Sequence, residues 1–126
     1  MARLLVIDDD PLVLRALALT LETDGLLVDT AGTGADGVAA FIATRPDVVL
    51  CDIRLPDLSG LELLARLKEI DRTVMVVLMT GHGTADTAIE ATRRGAFDYV
   101  LKPLDPDALA DLIRRAVEHD KGDCLW

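Results

Sequence analysis

Aromatic side chains are scarce, with one Trp, one Tyr and two Phe among 126 residues. Modules that hold single-stranded nucleic acid stack bases on aromatic rings, so that class of function has no platform here. Cations are in deficit too: 13 Lys and Arg stand against 22 Asp and Glu, for a net charge of −9. A grip on a phosphate backbone needs the opposite sign, and no nucleic acid is expected to bind this chain alone. Cysteine is limited to Cys51, inside an apolar run, and Cys124, near the C-terminus. Two such residues make neither a disulfide framework nor a metal-ligand spacing, and they read as a buried small hydrophobe and a tail residue. Although 51% of residues are hydrophobic, no apolar run approaches the roughly 20 residues of a spanning helix. The early stretch Leu4 to Ile7 ends at three aspartates, which excludes the h-region of a secretory signal. These absences predict a soluble, cytoplasmic domain with no membrane contact, of a length that suits one core and one function.

What is present is a regular alternation. Short aliphatic runs at Leu4–Ile7, Leu26–Val28, Val48–Cys51, Val74–Met79 and Tyr99–Leu101 predict five strands. Between and after them, helical spacing covers Pro11–Asp24, Ala35–Arg45, Leu61–Asp71, Ala85–Arg94 and Pro106–His119. Asp10-Pro11 and Asp105-Pro106 supply an N-cap followed by proline, and Ser59 with Glu62 supplies a capping box. Gly25 and Gly95 fall where C-terminal caps belong. Strict βα alternation implies parallel strands with helices on both faces, an α/β doubly wound (βα)5 sandwich. The first, third and fourth strands are apolar throughout, while Asp29 interrupts the second and Asp98 flanks the fifth. The second and fifth are therefore the expected edges, which fits the flavodoxin-like order 2-1-3-4-5 with its crevice between strands one and three. Residues 1–119 are expected to form this domain, with 120–126 as a tail and no output domain in this chain. The fourth helix offers only Ala88, Ile89 and Ala91 as anchors and should be the least firmly packed.

Parallel strands bring their carboxyl ends to one edge, so the residues leaving them there can be named in advance. They are Asp8 and Asp9, then Asp52, then Thr80, then Lys102 followed by Pro103. Asp10 is assigned to capping, and His82 and His119 to solvent. Two carboxylates about 5 Å apart repel by roughly 3 kcal/mol at an effective dielectric of about 20. Three sharing a pocket call for a cation, and oxygen-only ligands in a shallow site favour Mg²⁺ (or Mn²⁺) over a Ca²⁺ cage. One divalent ion and the Lys102 ammonium balance the three carboxylates. A carboxylate beside a metal and a lysine is equipped to attack a phosphoryl group, whose equatorial oxygens both cations stabilise.

With these residues in place, the chain from Arg3 to about Glu118 resembles the receiver domains of two-component response regulators. Asp8-Asp9 is similar to the family's acidic pair, and Asp52, in Asp-Ile-Arg-Leu-Pro-Asp-Leu-Ser-Gly, to its phosphoacceptor. Thr80, Tyr99 and Lys102-Pro103 are similar to its switch and lysine positions. The resemblance implies a metal held by Asp9, Asp52 and the Arg54 backbone carbonyl, with Asp8 mainly behind them. It also implies that Lys102 holds the phosphoryl oxygens and that the Lys102-Pro103 peptide is a cis candidate. A sensor histidine kinase would donate the phosphoryl group. Thr80 and Tyr99 would relay its arrival to the surface of the fourth helix, fifth strand and fifth helix, which would meet a second copy or a separate output partner. Arg54 and His82 flank the site and are expected to tune hydrolysis. Arg54, Met79-Thr80-Gly81-His82-Gly83 and Gly95-Ala96-Phe97-Asp98-Tyr99 look most like receivers of nitrogen-regulatory, sigma-54-dependent activators.

Three rival functions separate on the same residues. An FMN module wants small residues with free N–H groups after the first strand, where Asp8-Asp9-Asp10 would repel the phosphate. An aspartyl phosphatase needs a second acid two residues after Asp52, and Arg54 stands there. An interaction domain that never takes up phosphate would leave the carboxylate cluster as a stability cost with no return.

Overall fold

The computed structural model describes residues 2–81, 83, 85–102 and 105–122. His82, Pro103, Cys124 and the final four residues of the expected tail lie outside the described residues, as does the His119 side chain. The elements alternate as β1 (Arg3–Ile7), α1 (Pro11–Thr23), β2 (Leu27–Ala31), α2 (Gly34–Thr44), β3 (Val48–Asp52), α3 (Gly60–Ile70), β4 (Met75–Thr80), α4 (Ala85–Arg93), β5 (Asp98–Leu101) and α5 (Pro106–Gly122). All paired strands run parallel, in the order β2-β1-β3-β4-β5.

The central strands are buried on both faces because helices cover both. Leu5, Ile7, Val49, Cys51, Val76 and Leu78 point into one core with Phe41 of α2, Leu63, Leu64 and Leu67 of α3 and Ala91 of α4. Leu4, Val6, Val48, Leu50, Val77 and Met79 point into the other with Leu21 of α1 and Leu109, Leu112, Ile113 and Ala116 of α5. Alternate residues of one strand thus feed opposite layers, as the period of two requires. Among the described residues no helix is long and apolar enough to cross a membrane.

Helix starts follow their local chemistry. The Asp10 side chain accepts from the Leu12 N–H at 2.9 Å, with Pro11 in the first turn. Ser59 Oγ accepts from the Glu62 N–H at 3.1 Å. Gly25 and Gly95 take φ of +87° and +93°, the left-handed conformation that a side chain resists.

Several expected boundaries move, each for a physical reason. The second strand runs Leu27–Ala31 rather than Leu26–Val28, because its residues pair one for one with Arg3–Ile7 and the ladder outranks the apolar run. Asp29 stands opposite Leu5 in this edge strand with its side chain partly in solvent, and its carboxylate lies 3.5 Å from Arg3 Nε. Asp52 and Thr80 belong to β3 and β4 instead of following them. The last helix continues through Gly122, so the first residues assigned to the tail extend it. Among the described side chains of α4 only Ala91 is a buried anchor, while Ile89 is 55% exposed.

Candidate functional site

The end of β1 delivers Asp8, whose N–H donates to the Ala31 carbonyl of β2 at 3.1 Å and so keeps the chain on the sheet one residue past the strand. Its side chain then turns into the crevice and is fully buried. Oδ1 accepts the Asp10 N–H at 2.9 Å, and Oδ2 accepts Lys102 Nζ at 2.6 Å. The same ammonium donates to Asp52 Oδ2 at 2.9 Å, while Asp52 Oδ1 accepts the Arg54 N–H at 3.0 Å. Asp52 is 7% exposed and Asp9 is exposed. One carboxylate oxygen from each of Asp8, Asp9 and Asp52 lies within 4.8 Å of the others.

The backbone fixes these positions from three strands. The Lys102 N–H donates to the Thr80 carbonyl at 2.7 Å, anchoring the lysine to the end of β4 just as β5 ends. Buried Thr80 stands at the same edge, and the Ile53 N–H beyond β3 donates to the Met79 carbonyl at 2.9 Å. Gly60 closes the loop after Asp52 from behind, where a Cβ would lie 2.5 Å from the Asp52 carbonyl oxygen and 2.7 Å from Ile53 Cα. Only glycine allows α3 to begin that close to the strand.

Two buried carboxylates share one ammonium, and the electrostatics record the imbalance. Burial raises the Asp8 pKa above the ordinary carboxylate value, a push that the Lys102 hydrogen bond opposes and does not cancel. For Lys102, burial is the largest influence and pulls down, but the combined hydrogen bonds and charges of Asp8 and Asp52 outweigh it and raise the value. The Cys51 thiol, buried beside Asp52 and Asp8, is pushed far up and stays protonated, which removes it as a nucleophile. A hard divalent cation fits the donor set: all three side chains offer oxygen, two come from the interior, and one faces solvent.

The expected site residues therefore separate into groups. Asp8, Asp9, Asp52 and Lys102 converge, with Thr80 at the adjoining strand end. Arg54 has an exposed side chain and joins the cluster through its backbone N–H. Tyr99 lies in β5 opposite Leu78, its ring packed against the core that holds Ala91. Its hydroxyl is buried without a hydrogen-bond partner among the described residues. Sequence reasoning passed over Asp57 and Gly60. Gly60 carried a signal, a glycine next to a cap residue, but Asp57 after Pro56 reads as an ordinary turn.

Residues 4–114 match the family model described as response regulator receiver domain. The C4-dicarboxylate transport transcriptional regulatory protein DctD of Pseudomonas aeruginosa is 44% identical over 116 residues, covering 92% of this chain and 25% of that protein. The DNA-binding transcriptional regulator NtrC of Escherichia coli is 40% identical over 114 residues, covering 90% and 24%. The chain thus spans about a quarter of the length of these curated relatives. Among solved structures, a response regulator receiver domain protein from Clostridium thermocellum superposes with a TM-score of 0.92 at 37% identity, over 96% of this chain and 98% of that one. NtrX from Brucella abortus, in complex with ADP, gives a TM-score of 0.89 at 35% identity, over 97% of this chain and 27% of that one.

Proposed function

Because the chain belongs to the response regulator receiver domain family of two-component systems, we propose that it accepts a phosphoryl group on Asp52 from a sensor histidine kinase and passes the signal on through its surface. One observation carries the reading: Asp8 and Asp52, from β1 and β3, meet on the single Lys102 ammonium at the carboxyl edge of the sheet.

Asp9 and Asp52, with the Arg54 carbonyl, would hold Mg²⁺, and Asp8 would support them from behind. When bound, the ion supplies charge neutralisation for the carboxylate and for the oxygens of the incoming phosphoryl group. In the transfer, an Asp52 carboxylate oxygen forms the new bond to phosphorus as the bond from phosphorus to the donor imidazole nitrogen breaks. The electron pair of that bond stays on the nitrogen. The Lys102 ammonium exchanges its contact with Asp52 for one with a phosphoryl oxygen, so its charge acts where negative charge accumulates. The Arg54 N–H keeps Asp52 oriented throughout. The later return to free carboxylate is attack of water on phosphorus, releasing inorganic phosphate.

Thr80 would turn its hydroxyl toward the acyl phosphate and Tyr99 would follow, repacking α4, β5 and α5 to meet an output partner or a second copy. In this reading the domain works in the cytoplasm and holds no nucleic acid itself, in keeping with its net charge of −9. Intact mass after incubation with acetyl phosphate tests the proposal. Wild type gains one phosphoryl group only with Mg²⁺, and Asp52→Asn gains none. No gain by wild type, together with no fluoroberyllate complex, would sink the reading in favour of a domain that works by protein contacts alone.

A further inference from the structure

The loop that follows Asp52 is held at both ends. At its base the Gly60 N–H donates to the Ile53 carbonyl at 2.7 Å, and Arg54 and Ser59 form an antiparallel bridge. At its far end Asp57 reaches across to α2, where Oδ1 accepts the Gly34 N–H at 2.8 Å and Oδ2 the Ala35 N–H at 2.9 Å. Gly34 and Ala35 open the helix, so their amides have no partner inside it. The positive end of the helix dipole favours a carboxylate there, and the two backbone bonds hold the Asp57 carboxyl below the usual range. Leu58 completes the contact by lying over Gly34, where any Cβ would collide with its side chain.

A helix cap alone does not require this arrangement. Thr33 already caps α2 from within, its hydroxyl accepting the Asp36 N–H at 3.0 Å. What Asp57 adds is a tie between segments 22 and 23 positions apart in the chain. The tied segment is the one whose first turn places the Arg54 N–H on Asp52 Oδ1.

We propose that Asp57 is a positioning residue for the phosphorylation site: by clamping the β3–α3 loop to the start of α2 it fixes the Arg54 main chain beside Asp52, and through it the affinity for the divalent cation. The inference rests on the functional reading above and deepens it. Asp57 itself touches neither the cation nor the phosphoryl group. Without the clamp the bridge between Arg54 and Ser59 is left to hold the loop alone, and as it loosens the Arg54 carbonyl spreads over several positions of which only some face the ion.

Calorimetric titration of Mg²⁺ into the full chain, for wild type, Asp57→Ala, Asp57→Asn and Thr33→Ala, tests the role. Partners one step behind a ligand alter metal affinity by about 10–100-fold, so a tie acting through the loop backbone should be worth about 5–10-fold in Asp57→Ala. Asp57→Asn, which retains one acceptor oxygen, falls between Asp57→Ala and wild type, and it carries the test if Asp57→Ala does not fold. Labelling by acetyl phosphate drops in the Asp57 variants at limiting Mg²⁺ and recovers at saturating Mg²⁺. Thr33→Ala uncaps the same helix without freeing the loop and leaves affinity unchanged. Wild-type affinity in the folded Asp57 variants, or an equal loss in Thr33→Ala, overturns the positioning role alone. A wild type that binds no Mg²⁺ overturns the functional reading, and the positioning role with it.

Discussion

Helices α3 and α4 lie on the same face of the sheet, yet they are held there very differently. α3 sends Leu63, Leu64 and Leu67 fully into the core and begins at Gly60, pressed against the backbone of Asp52. Among its described side chains α4 buries only Ala91 and leaves Ile89 in solvent. A side chain of leucine size contributes about 1.5–3 kcal/mol on burial, so the two attachments differ by several such contributions. The difference divides the labour around the site. One wall holds Asp52 still, and under the proposed function the other can move at small free-energy cost when Asp52 takes up the phosphoryl group.

The contrast predicts its largest effect in the anchors. Leu64→Ala should lower unfolding free energy in urea by about 2–5 kcal/mol, because it opens a cavity in a closed core. Ile89→Ala should stay within about 0.5 kcal/mol of wild type, as exposed positions do. Similar losses at the two positions would break the comparison.

A pair of glycines sharpens it at intermediate size. Gly60→Ala drives a methyl group into main chain and should cost about 1–3 kcal/mol, and it should slow phosphoryl uptake by shifting Asp52. At Gly83, ahead of α4, a Cβ meets chiefly the end of the Leu101 side chain, at 2.5 Å. That chain is 59% exposed and free to swing away, so Gly83→Ala should unfold close to wild type in the same urea titration.

The smallest effect concerns the polar tie between the two helices. Arg94, just past α4, donates to Glu90 at 2.7 Å and to the Leu61 carbonyl of α3 at 3.3 Å. Its hydrogen bond and charge hold the Glu90 carboxyl below the ordinary glutamate value. The pair therefore adds stability above the unfolded carboxyl's pKa and loses it as pH falls through the lower, folded one. Arg94→Ala should move the Glu90 titration upward in an NMR pH series and leave α4 amides exchanging faster, with α3 amides unaffected.

Much of this was legible in the sequence because the signals were local. Asp10 before Pro11, Ser59 three residues before Glu62, and glycines at 25 and 95 each mark a boundary through chemistry that spans a single turn. The cluster was legible for another reason: parallel strands fix which ends meet, so Asp8, Asp52, Thr80 and Lys102 could be set on one edge without coordinates. Elsewhere the deciding partner was far along the chain. β2 took its limits from pairing with β1, and the grip of Asp57 on α2 is invisible to any window shorter than the distance it spans. Helical spacing grouped Ile89 with Ala88 and Ala91, but depth against the sheet decided that Ala91 alone is buried.

Lys102 bonds to Asp8 and Asp52 across 94 and 50 positions of sequence. On a ribosome the carboxylates emerge first, and the ammonium follows only when nearly the whole domain has been made. Until β5 docks beside β4, the nascent chain carries the acids without their counter-charge, since long-range strand pairing forms late. Under the proposed function, competence to receive a signal would therefore arrive with the last strand, and a polypeptide that stops short of Lys102 would stay silent toward its donor.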